Sequence, residues 1–181
     1  MATNYSEDEL NLLAAFPQMV GAAMAFSGSS GLFGTGKEMF VSAQSVLAGV
    51  KDYPNNDLIQ AVLPNLQGDR SDAMEKMKKF RDWAMARMKE KGINSYEKMR
   101  QQALEDSRAV VNLLSAKSSS QEATEYKQWA MSVAEKVAMA TTEGGFLGCG
   151  GERLSTNEKQ LLGEIQSALG VQSTLASKHI I

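Results

Sequence analysis

The chain has 181 residues, 43% of them apolar and 22% charged, with a formal net charge of -2. That size and balance suit one folded domain with a real core and exclude a chain too polar to collapse. A chain so near neutrality has no global field to recruit phosphate backbones, so nucleic acid is not an expected partner.

Ala, Leu, Met, Glu, Gln and Lys dominate, and strand-like alternation of aromatic and β-branched residues is nearly absent, so helices are expected from end to end. Ser6 and Glu9 form a capping box that opens a first helix to about Ala15. Pro17 then fits the first turn of a second helix, where its missing N–H costs nothing, with Val20, Ala23 and Met24 facing inward. Leu10 to Phe26 carries no charge, but Pro17 interrupts it and it is short of the ~20 residues that span a bilayer. It is expected to be a buried central helix, and no transmembrane segment is predicted.

A helix over roughly 37–50 follows the Ser27–Gly31 turn, and Tyr53-Pro54-Asn55-Asn56 ends it and caps a short apolar helix carrying Leu58, Ile59, Val62 and Leu63. From Asp72 to Lys91 the spacing predicts a long amphipathic helix with Met74, Met77, Phe80, Ala84 and Met88 on one stripe. Core packing is the expectation for that stripe, although Met at such spacing also suits an adaptable binding surface. The basic run Lys76 to Arg81, balanced by Glu75 and Asp82, reads as a solvated face.

Gly92 ends that helix and Ser95 caps the next, which runs to about Ser115 with Met99, Ala103, Val110, Leu113 and Leu114 inward. Ser119 with Glu122 forms a second capping box, for a helix that buries Tyr126, Trp129, Val133, Val137 and Ala140. Ser155 with Glu158 forms a third, for a helix that buries Leu161, Leu162, Ile165 and Leu169 and stops at Gly170. The fold class expected is all-α: one bundle of about seven helices over 1–170, followed by a tail over 171–181.

The chain also matches itself. Gly31-Leu32-Phe33-Gly34-Thr35-Gly36-Lys37-Glu38 aligns with Gly145-Phe146-Leu147-Gly148-Cys149-Gly150-Gly151-Glu152, with three glycines and the glutamate in register. An internal duplication with approximate two-fold symmetry is expected, with units at about 9–50 and 123–169 and a helical insert at 55–116. Spaced glycines permit positive φ and close backbone approach, so each turn redirects one helix into the next while its Leu/Phe pair plugs the core. The same residues are the candidate binding positions, through their backbone N–H groups.

Gly31 to Lys37 matches the start of a phosphate-binding loop, G-x-x-x-x-G-K. Glu38 stands where a Ser or Thr would hold Mg²⁺, and the second copy places Gly151 opposite Lys37. Phosphate or nucleotide handling at this turn is therefore the rival reading, and membrane-surface attachment through Leu32-Phe33 and Phe146-Leu147 is a third. The lone histidine, His179, has no second histidine or cysteine with which to build a metal site. Cys149, the single cysteine, excludes an intramolecular disulfide and suits a reducing compartment, and Arg153 is the one nearby cation that would lower its thiol pKa. Residues Met1 to Glu9 lack the basic and apolar segments of a secretory signal, so the cytoplasm is the expected location.

Gly144 to Gly148 through Gly150-Gly151, Ser155, Glu158-Lys159 and Leu162 to Ile165 resemble a family of small uncharacterised all-helical bacterial proteins. The helix with Pro17 and the Ser30-Gly31-Leu32 turn into Lys37-Glu38 are similar to the same family's N-terminal part. More distantly, the order of turn, Ser155, Glu158 and apolar helix resembles the repeat of TerB-like tellurite-resistance proteins, which implies an internally duplicated helical fold associated with metal binding and stress. That repeat carries acidic residues just before the serine where this chain has Gly150-Gly151-Glu152-Arg153, so no metal ligand is carried over. No catalytic residue and no cofactor are expected. The function expected is a non-enzymatic cytoplasmic binding or scaffolding domain, linked to stress by resemblance, whose partner is a protein, a small ligand or a second copy of the chain.

Overall fold

The computed structural model describes residues 4–28, 36–64, 69–142 and 154–172. Among the described residues there are seven helices and no strand: α1 Glu7–Ser27, α2 Gly36–Asp52, α3 Asp57–Val62, α4 Arg70–Glu90, α5 Tyr96–Lys117, α6 Ser120–Thr142 and α7 Thr156–Leu169. Helix α1 lies at the centre and packs against every other helix. It is long and apolar enough by composition to cross a membrane, yet more than half of its 21 residues are buried inside this protein.

Local chemistry sets most of the ends. Ser6 Oγ accepts the Glu9 N–H at 3.3 Å while the Glu9 carboxylate accepts the Ser6 N–H at 2.7 Å, and Ser155 with Glu158 repeats the arrangement at α7. Ser95 caps α5 by accepting the Lys98 N–H. Gly92, just past the Lys91 cap of α4, and Gly170, directly after α7, take positive φ of 61° and 64°, the left-handed step with which glycine ends a helix. At α6 the expected box is only half as drawn. Ser119 accepts the Glu122 N–H, but the Glu122 carboxylate reaches α3, where Oε1 accepts the Leu58 N–H at 3.1 Å. Asn56 completes that joint: Oδ1 caps α3 at Ile59, while Nδ2 donates to Glu122 O and Glu125 Oε2. Of the bare N-terminal N–H groups of this short helix, that of Leu58 is thus served by the first turn of α6 and that of Ile59 by Asn56.

Pro17 corrects the expected pair of N-terminal helices, because α1 is a single helix with Pro17 in its interior. Proline at this position deprives the carbonyl four residues back, that of Leu13, of its helical N–H partner. The vacancy is filled from α6: Tyr126 Oη donates to Leu13 O at 2.5 Å. Both residues are wholly buried, so no water could serve that carbonyl. Burial also pushes the Tyr126 phenol well above its ordinary pKa, which keeps the donor proton in place.

One core runs through the bundle, built on Leu13, Phe16 and Met24 of α1, Leu58 and Ile59 of α3, Leu114 of α5, Tyr126 and Trp129 of α6, and Leu161, Ile165 and Leu169 of α7. Tyr126 and Trp129 meet edge to face with centroids 5.4 Å apart. Trp129 Nε1 donates to Val46 O at 3.2 Å, and Gly49 makes that approach possible, since a Cβ there would stand 2.5 Å from the same nitrogen. The expected inward residues of α5, α6 and α7 are buried, with Leu113 partly so. Charged pairs tie the outer ends: Glu9 of α1 to Lys117 of α5 at 2.6 Å, and Arg100 of α5 to Glu164 of α7.

Tyr126→Phe is expected to cost ~1–3 kcal/mol in urea unfolding, the penalty for an unsatisfied buried carbonyl. In a Pro17→Ala background the restored backbone N–H at position 17 can serve Leu13 O, so the same substitution should cost clearly less. Equal costs in the two backgrounds would break the proposed link between the proline and the tyrosine.

Candidate functional site

Helix α4 departs most from the pattern of a core helix. Its 21 residues include one buried side chain, Ala73. The expected inward stripe is corrected at Met74 and Met77, which are 63% and 48% exposed, while Phe80, Ala84 and Met88 do face the body. The face turned to the body holds Ala73, Lys76, Phe80, Trp83, Ala84, Arg87 and Met88, all but Ala73 only partly buried.

The reason lies in two cations that find better partners inward than water offers. Lys76 Nζ donates to Ala61 O at 2.5 Å and to Leu63 O at 2.8 Å, serving carbonyls left open at the end of α3. The expectation that the whole basic run is solvated is corrected at this residue, whose ammonium is pushed down in pKa by burial. Arg87 makes a two-pronged contact with Asp106 of α5 at 2.7 and 2.6 Å, and Asp106 Oδ1 also accepts from Gln102 Nε2. The Asp106 bonds raise the Arg87 guanidinium above its ordinary value. Phe80 lies under Lys76 and Trp83 under Arg87, at 5.6 and 5.5 Å. These charged contacts help to set the rotation of α4, and Met74 and Met77 fall on its flank.

That flank is one wall of an open trough of about 710 Å³. Met74, Met77, Lys78 and Arg81 line it from α4, and Ala43 and Leu47 from α2. Its floor is Ala14 of α1, Val46 of α2, and Val62 with Leu63 at the end of α3. Both walls pack on α1, which sets their separation. Phe40, 67% exposed, stands three residues before Ala43 and seven before Leu47, on the same helical face of α2.

The chemistry of the trough is that of apolar contact. Among the described residues no buried side-chain nitrogen or oxygen lacks a hydrogen-bond partner, and no three His, Cys, Asp or Glu side chains converge into a set for a metal ion. A second, polar cavity of about 510 Å³ is lined by Asn55, Asn56, Asp57, Ser119, Gln121 and Glu125, among others, and belongs to the α3–α6 joint.

Of the residues singled out from sequence, Gly36, Lys37 and Glu38 form the first positions of the α2 backbone. Gly31, Leu32, Phe33 and Gly34 lie outside the described residues, as do Gly145, Phe146, Leu147, Gly148, Cys149, Gly150, Glu152 and His179. Of the other trough residues, the sequence marks Val62 and Leu63 only as core positions of a short helix and Lys78 and Arg81 only as part of a solvated basic run, and it does not single out Ala43 or Leu47.

Asp106→Asn halves the charge pairing that holds α4 and leaves the Gln102 contact possible. Hydrogen exchange of α4 amides is expected to accelerate about tenfold, the equivalent of ~1.4 kcal/mol, with α6 amides unchanged. Uniform acceleration across the protein, or none, would show that this pair does not hold α4. No protein-family model, curated protein or solved structure matches the chain.

Proposed function

We propose that this chain is a non-enzymatic binding or scaffolding domain that receives the apolar part of a ligand or partner in the trough between α2 and α4. The observation that carries the reading is the exposure of Met74 and Met77 along an apolar channel whose volume falls within the roughly 300–1,000 Å³ of small-molecule sites. Unbranched thioethers repack at little cost, so such a wall adapts to its occupant. A cytoplasmic setting and a stress-linked role go with this reading, supported by the lone Cys149 and by the TerB-like resemblance.

The internal duplication belongs to the same proposal, and its support is uneven. Aligned positions of α1 and α6 share burial at Ala15 and Trp129, Phe16 and Ala130, Met19 and Val133, Val20 and Ala134, and Ala23 and Val137. In the second helices the faces differ: Ser42, Ser45, Val46 and Gly49 are buried in α2, while the aligned Thr156, Lys159, Gln160 and Gly163 are exposed in α7. The shared pattern therefore rests on the first helix of each unit.

Titration with the neutral apolar dye N-phenyl-1-naphthylamine tests the trough without involving charge. Saturable fluorescence enhancement is expected, and Ala43→Trp, at an exposed position on the α2 wall, should weaken it about tenfold, ~1.4 kcal/mol, with the melting temperature kept. Absence of saturable binding, or an undiminished response in the variant, would refute the site.

A further inference from the structure

Resting on the trough as a binding site, we propose that its ligand is a free single-chain anionic amphiphile, an acyl chain along the trough with its carboxylate at Lys78 and Arg81. The lining decides the body of the ligand. Ala43, Leu47, Met74 and Met77 offer hydrocarbon and thioether, and hydrocarbon is what such a surface removes from water.

The rim decides the head. Met74, Lys78 and Arg81 follow at spacings of four and three, so both cations share the methionine face of α4. Helix α4 carries seven Lys or Arg against four Asp or Glu, in a chain whose net charge is -2, so positive charge is concentrated beside the trough. Glu75 also reaches the lining, but its carboxylate is paired with Lys79 at 2.9 Å. Arg81 touches Asp82 at 3.3 Å with both side chains more than half exposed, a loose contact that a ligand carboxylate can replace. Lys78 and Arg81 are thus the cations that meet a ligand lying in the channel, and Gln18 and Ser71 add neutral polar groups at the lining.

The experiment is displacement of N-phenyl-1-naphthylamine by dodecanoate and by dodecan-1-ol, both below their aggregation concentrations, at pH 8. Dodecanoate is expected to displace the dye about fivefold more tightly, the scale of one exposed charge contact. Lys78→Ala with Arg81→Ala should abolish that margin while leaving dodecan-1-ol displacement unchanged. Lengthening the acid should tighten displacement by up to about fourfold per methylene. Equal displacement by acid and alcohol in the unsubstituted protein overturns the anionic assignment and leaves the trough intact. Failure of the dye itself to bind removes the site on which the assignment rests. Sedimentation with phosphatidylglycerol vesicles without displacement by dodecanoate overturns the free amphiphile in favour of a lipid surface.

Discussion

The carbonyl of Leu13 needs a donor that Pro17 cannot supply, and Tyr126 supplies it from the far side of the core. With that carbonyl satisfied, α1 runs as a single helix through Pro17 and packs against all six of the others. A helix broken at Pro17 would present two shorter faces, and α2 and α4 would no longer share one support. The separation of those two helices, and with it the trough between them, follows from the continuity of α1.

Helix α4 is attached by another kind of force. Most helices here hold their place by burying large apolar side chains, each worth roughly 1.5–3 kcal/mol when fully covered. Helix α4 fully buries one alanine, lays Phe80 and Met88 partly against the core, and adds Lys76 at the end of α3 and Arg87 at Asp106, with aromatic rings beneath both cations. Hydrogen bonds to charged groups contribute ~1.5–3 kcal/mol each and are directional, so they fix rotation more firmly than they compress a surface. The outcome is a helix set in one orientation with its methionines beside a channel, which is the geometry a binding wall requires.

Much of the fold was legible because its signals are local. Ser6, Asn56, Ser95 and Ser155 cap helices through N–H groups three residues away, and Gly92 and Gly170 stop them through their own φ. Two features were hidden because their causes are distant. The rescue of Pro17 comes from a hydroxyl whose acceptor lies 113 residues away in sequence. The rotation of α4 is tied to Asp106 and to the carbonyls of α3, while periodicity weighs only hydrophobicity and so placed Met74 and Met77 inward. For the same reason the trough could not be read from sequence: it is the space between helices that touch a common third one.

Methionine methyl resonances test the trough directly, because the chain's 11 methionines include Met74 and Met77 on its wall and Met24 and Met131 deep in the core. On addition of dodecanoate to protein carrying carbon-13 methionine methyls, the signals of Met74 and Met77 should shift in a saturable way while those of Met24 and Met131 stay in place. Shifts centred on core methionines, or saturating shifts that leave Met74 and Met77 unmoved, would contradict the account.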